Sequence, residues 1–503
     1  MSTAVLIFPH QLFADHPSLA DDPKHVAIIE DDLFFGDRHH PLQFHQQKLW
    51  LHRATMQRYR HRIADHFPKV EYFDYQSDHS TFDNVSKWIV KTKATEIRLA
   101  DPHDNLLLRR LQRFARREEL QITVDATPAF LNTNEENQQY REGKKRWYMA
   151  NFYQYQRRRL DILMNGDDPV GDQWSFDEDN RKKVPKAMLK EIPDLPEVDF
   201  DDIDLSARQY VLDRFADHPG SLDHLYYPTS HERAEQWLKE FFEQRFKLFG
   251  DYEDAIVENE SWLWHGVLTP MLNTGLLTPE QVVDGAVRYS IEHDIPINST
   301  EGFVRQIIGW REFMRATYED LHVKMRTTNH WKHTRKIPKS FWDGTTGIDP
   351  VDDCIRRVNQ TGYLHHIERL MVMGGFMFLC EFDPDEIYKW FMEMFIDSYD
   401  WVMVPNSYAM SQNADGGLIT TKPYFSGSSY IRKMSNHRRG DWADTWDGLY
   451  WRWIDNHRES LGKNPRWAMM CRMVEKMDQE KRQTHFTNAE VFLKKLDASP
   501  KYF

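Results

Sequence analysis

Cysteine is scarce. Cys354, Cys380 and Cys471 are the only three among 503 residues, too few and too far apart for a disulfide framework or a C-x-x-C metal site, so a reducing compartment is expected. Long apolar runs are missing as well. The longest uncharged one, LMVMGGFMFLC at 370–380, is too short to span a bilayer, and MSTAVLIFPHQLF at the start has neither a basic leader nor a small-residue cleavage site. These absences predict a soluble, cytoplasmic protein with no membrane partner, read as a monomer. Surplus positive charge is absent too: a net charge of −13 excludes a chain coated for polyanions and leaves nucleic acid only local basic patches. Two stretches, KKRWYMANFYQYQRRR (144–159) and KMRTTNHWKHTRK (324–336), interleave Lys and Arg with aromatics, the mixture that neutralises phosphates and stacks on unpaired bases. No G-x-G-x-x-G or G-x-x-x-x-G-K-[ST] follows the first apolar run, so neither a dinucleotide fingerprint nor a P-loop is present.

Aromatic side chains, in contrast, make up 14% of the chain and include 17 tryptophans, more than an ordinary core requires. The first 130 residues alternate short β-rich runs (4–9, 25–30, 70–75, 96–100 and 121–126) with amphipathic stretches (47–67, 82–92 and 105–119). That alternation predicts a doubly wound α/β domain with a parallel sheet over 1–135. The chain then turns Asp- and Pro-rich between 163 and 205, and 136–205 is read as an interdomain connector. Beyond it, segments such as 232–249, 279–293 and 301–322 have helical periodicity and no strand pattern recurs, which predicts a large all-α domain over 206–503.

An α/β domain, a connector and a larger Trp-rich helical domain describe the photolyase and cryptochrome superfamily, and particular segments carry the resemblance further. EGFVRQIIGWREF (301–313) resembles the superfamily's Q-x-x-x-W-R-E-F helix beside the flavin, and HHIERLM (365–371) resembles its H-N-R-x-R-M helix. MVPNSYAMSQNADGGLITTKPYFSGSSYIRKMS (403–435) is similar in particular to the prokaryotic photolyase-related proteins, whose members include bacterial (6-4) photolyases. The resemblance spans nearly the whole chain. It implies FAD as cofactor and UV-damaged DNA as partner, with an Arg and an Asp 28 residues apart beside the isoalloxazine, here Arg369 and Asp397. It further implies Thr269 at the flavin phosphates, Gln306 and Arg311 on the cofactor helix, and Asn406 beside the reactive flavin nitrogen.

The same resemblance gives the adjacent histidines a task. His366 is expected to donate a proton to the lesion and His365 to orient it, a role suited to the one side chain that ordinarily titrates near neutrality. Tyr424 and Asp254 coincide with lesion-pocket positions. The implied activity is light-dependent repair of a flipped-out (6-4) photoproduct by an electron from reduced FAD. A cryptochrome-like blue-light receptor and a photolyase for cyclobutane dimers or single-stranded DNA are the alternatives.

Two departures stand out. Photolyase-related proteins usually hold a [4Fe–4S] cluster on four cysteines; Cys354 matches the first, but MSNHRRGDWADTWDGLYWRW (434–453) has none, so no cluster is expected. At the antenna site Gln11 and Glu30 persist, whereas Phe34 stands where the family has Glu, leaving a lumazine, pterin or deazaflavin antenna open. For electron entry the family pattern points to Trp390 and Trp342, with Phe391 where a Tyr may stand and with Trp451 and Trp453 as substitutes.

Overall fold

The computed structural model describes residues 2–421, 423–463 and 465–500. Five strands, β1 (Thr3–Ile7), β2 (His25–Ile29), β3 (Val70–Phe73), β4 (Glu96–Ala100) and β5 (Gln121–Asp125), form one parallel sheet in the order β3-β2-β1-β4-β5. The central strands TAVLI and HVAII are buried almost throughout because helices cover both faces, whereas the edge strands VEYF and QITVD keep polar residues toward solvent. Helices Gln46–Ala64, Thr81–Thr92 and Asn105–Arg117 make the crossovers. Strand order reverses between β1 and β4, and there the Gln11 amide bridges the chain after β1 to the Ala100 carbonyl at 2.7 Å.

The first crossover helix belongs to both halves of the molecule. It packs on Asp202–Arg214, where Arg58 binds Asp201 and Asp204, and it sends Lys48 and His52 to Ser398 and Tyr399 of the helical half. The stretch 136–205 is no loose tether. Its helix Met149–Leu160 packs so closely on 305–311 that a Cβ at Gly309 would lie 2.8 Å from Met149 Cε. Beyond residue 205 the regular elements of the described residues are helices, with loops between them and two isolated β-bridges.

Three helices there widen into π-helical turns, at Arg305–Arg311, Glu368–Gly374 and Val404–Ser411. The last two touch: a Cβ on Gly374 would come within 2.1 Å of Ser411 Oγ. Such turns shift the facing of every side chain after them and concentrate at functional sites. Gln306, Arg311, Arg369 and Asn406 all stand on these three.

Candidate active site

Arg369 and Asp397 meet in a bidentate pair, Nη1 to Oδ1 at 2.8 Å and Nη2 to Oδ2 at 3.1 Å, while Arg369 Nε donates to the Leu364 carbonyl at 2.6 Å. The guanidinium lies over the Phe395 and Tyr363 rings. Thr269 donates its hydroxyl to Asp397 Oδ2, and the Asn273 amide donates to the Asp397 carbonyl at 2.8 Å. Arg311 reaches the Asn273 side-chain oxygen and sits over Phe130 and Trp401, its pKa lowered to about 10 by burial. Five residues expected or found at this point thus form one network, and Asn273 is the member that sequence reasoning omitted. Lys48, also unforeseen, is fully buried on the other side of the 397–399 segment, its ammonium bonded to Ser398 and its pKa lowered to about 7 by burial.

The two histidines leave different faces, as adjacent helix residues must. His365 is wholly buried, its ring stacked on His265 at 4.6 Å and 10°, and burial holds both rings well below their ordinary pKa. His366 is 41% exposed and bonds Asp254 Oδ1 through Nε2 at 3.2 Å. Desolvation opposes its charge, yet the Asp254 carboxylate, with Glu253 behind it, raises its pKa above 6.5. Gln306 donates to Glu253 rather than standing free, so it belongs to this pocket's polar floor. A Cβ on Gly375 would lie 3.6 Å from the Tyr424 carbonyl oxygen, so the chain at Tyr424 runs alongside the continuation of the same helix.

Sequence comparison places this geometry. A family model described as deoxyribodipyrimidine photo-lyase-related protein matches residues 5–227, and one for the FAD binding domain of DNA photolyase matches 303–484. A (6-4) photolyase of Agrobacterium fabrum is 30% identical over 514 residues, covering 99% of this chain and 100% of the relative. The chain belongs to the photolyase and cryptochrome family, in its photolyase-related branch. Among solved structures, a bacterial class III photolyase from Agrobacterium tumefaciens matches with TM-score 0.56 at 16% identity, covering 98% of each chain. A Synechocystis cryptochrome matches with TM-score 0.57 at 13% identity, covering 99% of each. Both likenesses concern the fold.

For a photolyase-related chain the unpaired polar atoms are informative. Arg311 Nε, Ser407 Oγ and Gln412 Oε1 are among the buried polar atoms without a protein partner, and a bound polar ligand could complete them. With Arg369–Asp397 they fit a large polar cofactor such as FAD. Asn406 donates to the Val402 carbonyl at 2.8 Å, and its side-chain oxygen stays available.

The remaining expectations are placed as follows. Trp390 is fully buried, donates to the Phe341 carbonyl at 3.0 Å, and adjoins Phe395, which is in turn under Arg369; Trp342 follows Phe341 directly and is 7% exposed. Gln11 spends its amide on Phe8 and Ala100, and Glu30 accepts from Arg53, Tyr72, Tyr75 and Tyr210. Of the antenna candidates, Phe34 lines a cavity of about 310 Å³ shared with Lys48, Asp104 and Tyr399.

The expected basic patches are partly spent, although Lys144, Lys145, Arg146, Lys324 and Lys332 remain exposed. Trp147, Phe152 and Tyr153 are core residues, while Arg326 and Arg335 are tied to Asp400 and Asp497. A different rim lies beside His366, where exposed Arg181, ion-paired with Asp177, stands 3.9 Å from Asp254 and exposed Lys183 reaches the backbone of exposed Arg432. Its one sequence signal was the RKK run at 181–183 inside an otherwise acidic stretch. No helix of the described residues is long and apolar enough to cross a membrane.

Proposed function

We propose that this chain is a DNA photolyase that repairs pyrimidine (6-4) photoproducts. One observation carries the reading: an exposed, carboxylate-paired His366 opens to solvent inside a cationic rim, close to the buried network around Arg369 and Asp397. The 30% identity to a (6-4) photolyase over the full length supports it. When bound, reduced FAD supplies the electron that light sends to the lesion.

Every other task falls to this chain. Arg181, Lys183 and Arg432 neutralise phosphates around a flipped-out lesion, a contact that salt weakens. Asp254 favours the protonated form of His366, and His366 delivers its ring proton to the lesion base. His365, neutral and buried, fixes the ring behind it. Arg369, Asp397, Thr269, Asn273 and Arg311 hold the flavin, with Asn406 at its ring. The three cysteines leave the chain without an iron–sulfur cluster. Any lumazine, pterin or deazaflavin antenna occupies the cavity at Phe34.

The test is incubation of the reduced holoprotein with defined (6-4) and cyclobutane lesions under blue light, with His366→Ala alongside. Repair of the (6-4) lesion, abolished in His366→Ala while FAD stays bound, is the expected result. Repair of cyclobutane dimers alone overturns the lesion assignment. Repair of neither, with flavin present, favours the cryptochrome-like receptor.

A further inference from the structure

His265, which no part of the repair reading employs, lies on the loop before Thr269 and joins His365 and His366 in a cluster whose potential ligand atoms all fall within 4.8 Å of one another. Two of the three rings are fully or almost fully buried and the third opens to solvent, so an ion has both a dry seat and a way in.

The surroundings are those of metal-ligating imidazoles. Such a ring characteristically gives one nitrogen to the ion and the other to a carboxylate or a backbone carbonyl, which fixes its tautomer. Here His265 has one nitrogen bonded to the Glu253 backbone, His366 has Nε2 on Asp254, and His365 has Nε2 3.3 Å from Glu368. His265 Nε2 and both ring nitrogens of His365 are buried with no hydrogen-bond partner, the Glu368 carboxylate standing near His365 Nε2 without bonding it. Leaving a buried polar atom unpaired is unfavourable, and several facing one small space ask for a common ligand. Of the neighbouring guanidiniums, Arg305 is paired with Glu253 and Glu301 and Arg357 with Glu368 and Asp353, whereas Arg245 beside His265 bonds only backbone carbonyls and opposes a cation there.

We infer that His265, His365 and His366 form a three-histidine site for a borderline divalent cation of the zinc class, with a fourth position open to water. Imidazole nitrogens select such ions over magnesium or calcium, which prefer oxygen ligands. Bonds of about 2.0–2.1 Å draw the nitrogens to about 3.4 Å apart, a movement within the reach of side-chain torsions. The occupied site takes up the face of His366 that the lesion needs. Resting on the repair reading above, this makes the ion a reversible inhibitor of repair.

The experiment titrates Co²⁺ into chelator-treated holoprotein and follows the cobalt d–d band on the long-wavelength side of the flavin spectrum, with Zn²⁺ as competitor. One equivalent should bind and be displaced by Zn²⁺. His265→Gln and His366→Gln should each weaken Co²⁺ at least about tenfold. His366 is partly exposed, so its replacement does not endanger the fold, and retained FAD checks both variants. Affinity unchanged in either variant overturns the site. Zn²⁺ should stop repair with the midpoint measured by Co²⁺ displacement; tight binding without inhibition upholds the site and overturns the role of His366.

Discussion

Lys48 carries a charge that its surroundings oppose. Burial lowers its pKa from 10.5 to about 7 against the pull of Asp397, while Phe44 and Tyr399 rings and Ser398 enclose the ammonium. Because the folded pKa lies below the unfolded one, the unfolded chain binds more protons between about pH 7 and 10.5, and stability rises with pH across that window. Below it the full penalty applies. Lys48→Met should therefore be more stable than the parent at pH 6 by about 1–3 kcal/mol and should lose the rise toward pH 10. Denaturant unfolding at both pH values reads this; a Met variant less stable at pH 6 means that the Ser398 bonds outweigh burial. Neither Lys48 nor His265 was legible in the sequence, since one sits in an ordinary amphipathic stretch and the other is a lone His in a loop. Arg369 and Asp397 were legible, because a helix motif and a fixed spacing of 28 survive in one dimension.

Elements were easier to read where a single period governs them. All five strands of the sheet begin within one residue of the β-rich runs, since buried parallel strands are short, apolar and β-branched. The three π-helical turns were invisible: 301–322 reads as one amphipathic helix, yet its middle widens at Arg305–Arg311 and turns Gln306 toward Glu253. What holds two of those turns together is the missing side chain of Gly374. Ala there would put its Cβ 2.1 Å from Ser411 Oγ and 3.0 Å from the Arg369 carbonyl. Gly374→Ala should cost about 1–3 kcal/mol and weaken FAD retention by pushing apart the segments bearing Arg369 and Asn406. Adding Ser411→Ala removes the closest contact and should recover part of both losses. Equal stability of Gly374→Ala and the parent would show that the two turns can separate freely.

At the scale of the whole molecule, photoreduction of a bound flavin requires electrons from the surface, and two aromatic groups offer routes for them. The innermost step is short: Trp390 packs on Phe395, whose ring lies 4.1 Å from the Arg369 guanidinium. Its indole N–H is fixed on the Phe341 carbonyl, one residue from buried Trp342. Phe391 packs on Trp390 at 5.4 Å but is far harder to oxidise than an indole, so it insulates rather than conducts. A second aromatic group runs from Trp453 to Trp331 at 4.9 Å and contacts Phe378 on the extension of the histidine helix, offering a parallel exit. The two routes give opposite expectations. If Trp390 and Trp342 conduct, Trp390→Phe retains FAD, because a similar ring fills the space, yet slows photoreduction at least about tenfold. It should still repair normally once FAD has been reduced chemically, since the lesion side at His366 is untouched. Trp453→Phe should photoreduce like the parent. A flavin photoreduced at the parental rate in Trp390→Phe and slowly in Trp453→Phe assigns the current to the second group, and leaves Trp390 as a packing residue beneath Phe395.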